Sequence, residues 1–345
     1  MVVAFGRDSI GITSTIPSEV LFAAGLRPVD LNNRFITDPG RRALVEEAEI
    51  AGFPLNFCAW IKGIYVFARR AGIRRLVGVF QGDCSNTHLL LEALEDDGFE
   101  IIPFEYPLNR DAARLREAIE RLAAALGTTA AAAEDVRRRM APLRRKLERL
   151  DEMTWRDGRV TGFENHLWLI NSSDMRGDWP GFEAELDGFL ARAEKRSPCE
   201  PRFRLGLVGI PPIVDDLYDV LAERGAGVVF NEFQRQFSMP GAHRSLVEQY
   251  LAYTYPYQTP LRLADITREV SVRRVDGLVH YIQSFCFRQL QDRMIRARVG
   301  VPVLALEFDR PGKLDGRSLT RIDAFLELLE GRRRRERRRL AEGKA

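Results

Sequence analysis

The stretch Phe203–Phe233, FRLGLVGIPPIVDDLYDVLAERGAGVVFNEF, decides the fold. FRLGLVG (Phe203–Gly209) is a continuous apolar run of strand length. DDLYDVLAERG (Asp215–Gly225) has helical spacing and a terminating glycine. GVVFNEF (Gly227–Phe233) is a second apolar run. Strand, helix, strand, with no polar alternation in the strands, is the pattern of a parallel sheet covered on both faces.

The rhythm continues on either side. Downstream, helical stretches fall around His243–Tyr250 and Leu261–Arg274. GLVHYIQ (Gly277–Gln283) and VPVLALEFD (Val301–Asp309) are strands, followed by helices over Phe287–Arg298 and Ser318–Glu330. Upstream, the chain to Pro107 repeats the plan on a smaller scale. It reads as a helix at Pro17–Ala24, a short strand at RPVDLN, helices at Gly40–Ala51 and Ala59–Ala71, and strands at Arg74–Phe80 and Phe99–Phe104 flanking a helix at Ser85–Leu94. Between the two parts, Leu115, Ile119, Leu122 and Leu126 recur at helical spacing, as do Val136, Met140, Leu143, Leu147 and Leu150. These predict an antiparallel helix pair, with a third helix over Gly181–Lys195. The expectation is an α/β protein of two doubly wound parallel-sheet lobes, residues 1–107 and 201–331, with a helical insert over 108–200 and an Arg-rich tail over 332–345.

Length and composition agree with this plan. At 345 residues the chain has room for two domains of ~150 residues, and its 45% apolar content fills both cores. The net charge of +3 gives no general pull toward nucleic acid. The seven arginines between Arg332 and Arg339 invite a nucleic-acid or membrane-surface reading, but arginines also suit the dipole at a helix C-terminus. We read them as a solvated, frayed helix end, with neither nucleic acid nor membrane as a partner. The start, MVVAFGRDSIGIT, has no basic segment leading into a long apolar run, and the four cysteines have no regular disulfide spacing. A cytoplasmic protein with reduced thiols is expected.

Three cysteines stand where a parallel sheet builds its site. Cys84 follows the strand ending in VFQGD, Cys286 follows GLVHYIQS, and Cys58 opens a helix. Helix-start amides stabilise a thiolate. Three such thiols from distant segments can hold three corners of an iron–sulfur cluster, with the fourth iron open; they can equally be small buried hydrophobes. Cys199 lies in a polar, Pro-flanked linker and reads as a bystander. His88 sits one turn beyond Cys84, either facing a ligand or on the helix surface; His280 sits inside a strand, where packing is the default. GLVGIPP lacks the spacing and the lysine of a phosphate loop. No H-E-x-x-H, G-x-S-x-G or C-x-x-C motif occurs.

Several segments together carry a family resemblance. They are IPSEVLFAAGLRPVDL (Ile16–Leu31), NFCAWIKG (Asn56–Gly63), GDCSNTHLLLEAL (Gly82–Leu94), VDGLVHYIQSFC (Val275–Cys286) and VPVLALEFDRPGKLDGRSLTRIDAFLELL (Val301–Leu329). In this order the chain resembles the 2-hydroxyacyl-CoA dehydratase family, which includes the 2-hydroxyglutaryl-CoA dehydratase D-component and benzoyl-CoA reductase subunits. The resemblance implies two flavodoxin-like lobes and one 4Fe-4S cluster held between them by Cys58, Cys84 and Cys286. It implies an acyl-CoA substrate, a homologous second subunit or a second copy, and an ATP-dependent iron–sulfur activator protein. The implied reaction eliminates water from an (R)-2-hydroxyacyl-CoA through a ketyl radical; the alternatives are a reductase subunit or an electron-relay partner. Glu19, in the matched opening segment, becomes a candidate proton-handling or hydroxyl-contacting catalytic group, against an ordinary first-turn glutamate. Arg321 is a candidate for phosphate contact or for a pair with Asp323 or Asp309. The segment NEFQRQFSMPGAH departs from the pattern of some catalytic subunits, which leaves the substrate class open. Four cysteines in all are too few for the double-cubane branch.

Overall fold

The computed structural model describes residues 5–284 and 286–342. The first lobe runs β1 (Ser9–Ile12), α1 (Ser18–Ala23), β2 (Arg27–Asp30), α2 (Leu31–Thr37), α3 (Arg41–Ile50), α4 (Ala59–Ala71), β3 (Arg75–Gln81), α5 (Ser85–Asp96) and β4 (Glu100–Glu105). The insert is α6 (Ala112–Ala125), α7 (Ala130–Trp155), α8 (Gly162–Ile170) and α9 (Trp179–Ala193). The second lobe runs β5 (Phe203–Gly209), α10 (Leu217–Glu223), β6 (Ala226–Asn231), α11 (Glu232–Phe237), α12 (Leu246–Ala252), α13 (Thr259–Val272), β7 (Gly277–Ile282), α14 (Gln291–Arg298), β8 (Val303–Glu307) and α15 (Gly316–Glu342).

Each lobe carries a four-stranded, all-parallel sheet, in the order β2-β1-β3-β4 and β6-β5-β7-β8. The orders are the same, so the lobes repeat one flavodoxin-like plan. The strands are apolar because both faces are covered: in β7 every residue is buried. One hydrophobic core fills a face of each sheet and runs through both lobes, joining Ile64, Leu76 and Leu94 to Leu205, Tyr281 and Leu326. Separate cores cover the outer faces. One holds Val77, Phe104 and Ile119 on the first sheet; the other holds Val208, Ile266 and Leu278 on the second.

The structure amends several readings. The helices α6 and α7 bury their stripes in different places. Leu115, Ile119 and Leu122 of α6 pack on the first sheet. Met140, Leu143 and Leu147 of α7 form a core of their own with α8 and α9. A stripe specifies that a helix packs, and leaves its partner open. The segment read as a strand to Phe233 turns helical at Glu232, whose carboxylate accepts from the Gly209 amide at 3.1 Å and pairs with Arg262 at 2.5 Å. The arginine run is not frayed: α15 stays helical to Glu342. Arg333 holds Asp276 at 2.8 Å and lies 5.1 Å over the Phe203 ring. No helix among the described residues is long and apolar enough to cross a membrane.

Candidate functional site

The carboxyl ends of the two sheets open on one cavity of about 120 Å³. The loop after β1 brings Thr13, Ser14 and Thr15, the end of β2 brings Asp30, and the turn after β3 brings Asp83 and Cys84. From the second lobe come Ile210 and Pro211 after β5, and Gln283, Cys286 and Arg288 after β7. Cys58, at the start of α4, completes a set of three thiols in one cavity. Each thiol opens a helical segment: Cys58 caps α4, Cys84 caps α5, and Cys286 caps the 3-10 turn Phe287–Leu290. Gly82 makes the Cys84 turn possible. Its φ is +106°, and a Cβ there would meet the Cβ atoms of Pro256 and Tyr106 at 2.9 Å.

The amides of these first turns offset part of the cost of charging the sulfurs. The amides of Trp60 and Ile61 favour the charged form of Cys58, those of Asn86 and Thr87 that of Cys84, and that of Arg288 that of Cys286. Cys58 Sγ donates to Gln283 Oε1 at 3.0 Å, and Cys84 Sγ lies 3.4 Å from Thr87 Oγ1. Burial still dominates the protonation of the free thiols. It pushes Cys58 up to about 12. Burial, with the Asp83 charge beside it, pushes Cys84 up to about 11. Cys286 is raised by burial as well. The metal-free chain therefore holds neutral thiols, and metal binding must displace their protons.

The donor set suits a sulfur-bound cluster. All three thiols are free. Trp60 Nε1 and Gln283 Nε2, on residues lining the cavity, are buried and have no partner among the described residues. Such donors match a group that brings its own acceptor atoms. Among the described residues, no group of three or more His, Cys, Asp or Glu side chains could hold a single metal ion. Three sulfurs on one tetrahedral ion, at bonds of ~2.3 Å, lie only about 3.8 Å apart. On a cluster each thiolate has its own iron, and the sulfurs sit wider.

The other candidates lie elsewhere. Glu19 does not line the cavity. Its carboxylate is fully buried and accepts from Arg144 at 2.5 Å, Gln249 at 2.7 Å and Tyr250 at 2.8 Å. Burial alone would push this carboxyl up; the Arg144 charge and the Gln249 hydrogen bond outweigh it and hold it below its ordinary range. His88 is half exposed, with Glu92 at 3.6 Å. His280 is buried in β7, bonded to Asp292 at 2.9 Å. Cys199 is exposed, outside the cavity. Arg321 donates to the Ala305 carbonyl at 2.6 Å, while Asp323 pairs with Arg224 and Asp309 accepts from the Ser284 amide.

Sequence reasoning passed over Thr13–Thr15, Asp30, Asp83, Gln283 and Arg288. Asp30 is buried; burial raises its carboxyl, and its backbone amide donates to Asp174 Oδ2 at 2.8 Å. Asp83, also raised by burial, accepts from the Cys84 amide at 2.7 Å and from Tyr255 Oη at 3.0 Å. A signal was present for Asp83 and Gln283: Asp83 directly precedes Cys84 just after a strand, and Gln283 follows a strand three residues before Cys286.

Residues 13–329 match the family described as 2-hydroxyglutaryl-CoA dehydratase, D-component. Comparison with curated proteins gives no match. The match spans nearly the whole chain and takes in seven of the eight strands, the insert and the three cavity cysteines, so the chain belongs to this family. Membership makes it a component of a dehydratase of the hydro-lyase type.

Proposed function

We propose that this chain is the cluster-bearing subunit of a cytoplasmic 2-hydroxyacyl-CoA dehydratase, with Cys58, Cys84 and Cys286 holding one 4Fe-4S cluster. The observation that carries this reading is the meeting of three free thiols, each opening a helical segment, in one cavity at the carboxyl ends of both sheets. When bound, the cluster supplies one-electron chemistry and an open iron for the substrate oxygen. A separate ATP-hydrolysing iron–sulfur activator delivers the electron, and a homologous subunit or second copy completes the complex.

An α-hydroxyl beside a thioester carbonyl is a poor leaving group, and the β-proton is weakly acidic. One electron on the thioester gives a ketyl, which reverses the polarity of the carbonyl carbon and lets hydroxide depart. Loss of the β-proton and return of the electron leave the 2-enoyl-CoA. The chain's own residues serve this in three ways. First-turn amides hold the thiolates. Ile61, Ile64, Leu90, Ile170 and Phe237 line the cavity with apolar surface and keep water out. Thr13, Ser14 and Thr15 offer hydroxyls to substrate oxygens from the first lobe.

The test is anaerobic purification with iron and sulfide quantitation, wild type beside Cys84→Ala. About four irons and four sulfides per chain, lost in the variant, support the reading. No iron in the wild type after reconstitution overturns it. With activator, ATP and reductant, a 2-enoyl-CoA product identifies the dehydratase, and a reduced acyl-CoA or ring identifies a reductase instead.

A further inference from the structure

The buried arginines of this chain follow a rule, and one breaks it. Arg144 contacts Glu19, Arg235 contacts Asp265, Arg262 contacts Glu232, and Arg273 contacts Asp151 and Glu269. Arg288 is only 3% exposed, yet no carboxylate among the described residues lies within 4 Å of its guanidinium. The rings of Tyr255, Phe233 and Phe287 enclose it, with centroids at 4.3, 4.7 and 4.8 Å. One N–H donates to the Tyr255 carbonyl at 3.2 Å. Arg288 lines the cavity, and its guanidinium has no other hydrogen-bond partner among the described residues. Aromatic walls hold a cation in place, but they do not neutralise it. A buried guanidinium without a contacting counter-ion is costly, so the negative charge it lacks is one that arrives in the cavity.

We propose that Arg288 is the counter-charge of the three-thiolate cluster and a positioning residue that eases one-electron reduction at this site. The inference rests on the cluster reading above. Its geometry favours the cluster over an anionic acyl group. Arg288 lies two residues from Cys286, and both its backbone amide and its charge favour the ionised form of that sulfur. Three thiolates leave a cluster negative overall, and the Asp83 carboxyl, which accepts from the Cys84 amide, feels the Arg288 charge without contacting it. The transferred electron adds further negative charge in a low-dielectric cavity, where one fixed cation is worth most. The step is an outer electron transfer: a low-potential donor is oxidised, cluster iron is reduced, and no bond forms or breaks.

The test uses the full chain, reconstituted anaerobically as wild type, Arg288→Met and Arg288→Lys. Iron and sulfide are measured first. The midpoint potential then comes from a dithionite titration followed by electron paramagnetic resonance. In Arg288→Met the iron stays, while the reduced-to-oxidised ratio at fixed potential falls by about tenfold or more, a shift of about 59 mV or more to negative potential. Arg288→Lys keeps the charge and titrates like the wild type. Iron retained in Arg288→Met with an unshifted midpoint overturns the counter-charge and leaves the cluster reading intact. A wild type without iron overturns both. If Arg288→Met does not fold, Arg288→Lys decides: a negative shift there assigns the residue to packing, because lysine keeps the charge and loses only the planar fork.

Discussion

Replacing Glu19 separates a structural role from a chemical one. The side chain is fully buried, and its partner Arg144 is 8% exposed on its side chain, at 2.5 Å. Glu19→Ala leaves a guanidinium in the interior, bonded only to the Ser238 carbonyl at 3.1 Å. Breaking a buried pair from one side costs about 3–5 kcal/mol, roughly two to four decades in the folding equilibrium. The pair joins α1 to α7, and the Gln249 and Tyr250 contacts add α12, so the loss spreads over three elements. Arg144→Met, which strands the carboxylate instead, costs a similar amount. The double variant Glu19→Leu/Arg144→Met loses less than the sum of the singles, with about 2–3 kcal/mol of coupling, because it strands no charge. The pH dependence has a definite sign. The Glu19 carboxyl is depressed in the fold, so its contribution is present above the unfolded value of 4.5 and is lost as pH falls through the folded value. Urea unfolding followed by circular dichroism, beside iron content, measures all of this. Glu19→Ala and Glu19→Gln variants within about 0.5 kcal/mol of wild type, with iron retained and turnover abolished, would refute the structural assignment and make Glu19 a catalytic group.

Two further outcomes need no bound metal. Burial, with Asp30 beside it, pushes Asp174 up to about 7 from 3.8, so the fold holds a proton that the unfolded chain has released. The contribution of Asp174 to the stability of the metal-free chain is therefore greatest near and below pH 4, falls as pH rises toward about 7, and levels off above; comparing urea midpoints of wild type and Asp174→Asn isolates it, the variant losing this fall, and an equal slope in both proteins rules the account out. With Cys58 pushed up to about 12 and Cys84 to about 11, iodoacetamide at pH 8 labels exposed Cys199 first and the two buried thiols on the order of a hundred-fold more slowly. Mass spectrometry after timed quenching reads the order, and equal rates contradict it.

The parallel lobes were legible because buried strands are written as continuous apolar runs. Phe203–Gly209 coincides with β5, and Ala59–Ala71 with α4. β1, a central strand, was passed over because four residues carry too little pattern, and α2 because it follows β2 without a break. α8 had a signal: Thr161 and Glu164 form a capping box, visible as T-x-x-E. The three thiols were legible from their places after strands and at helix starts. Arg288 was not, because nothing local distinguishes an arginine whose carboxylate partner is missing from one that has it. Glu19 drew notice from its motif, but its partners Arg144 and Gln249 lie 125 and 230 residues away.

The single core shared by both sheets has a mechanical consequence. Many two-lobed proteins swing like a clam about a hinge, because the plane between their lobes is polar and wet. Here that plane is a weld: Ile64 and Leu94 share one apolar mass with Leu205 and Leu326, and Arg310 of the second lobe clasps Glu49 of the first at 2.9 Å. Prising it apart would strip the interior that each half depends on. Traffic into the cavity must therefore pass along its rim, through small movements of the loops at the strand ends. For the same reason neither half is a free-standing body, and a protease that nicks the chain between them should leave both pieces gripping each other.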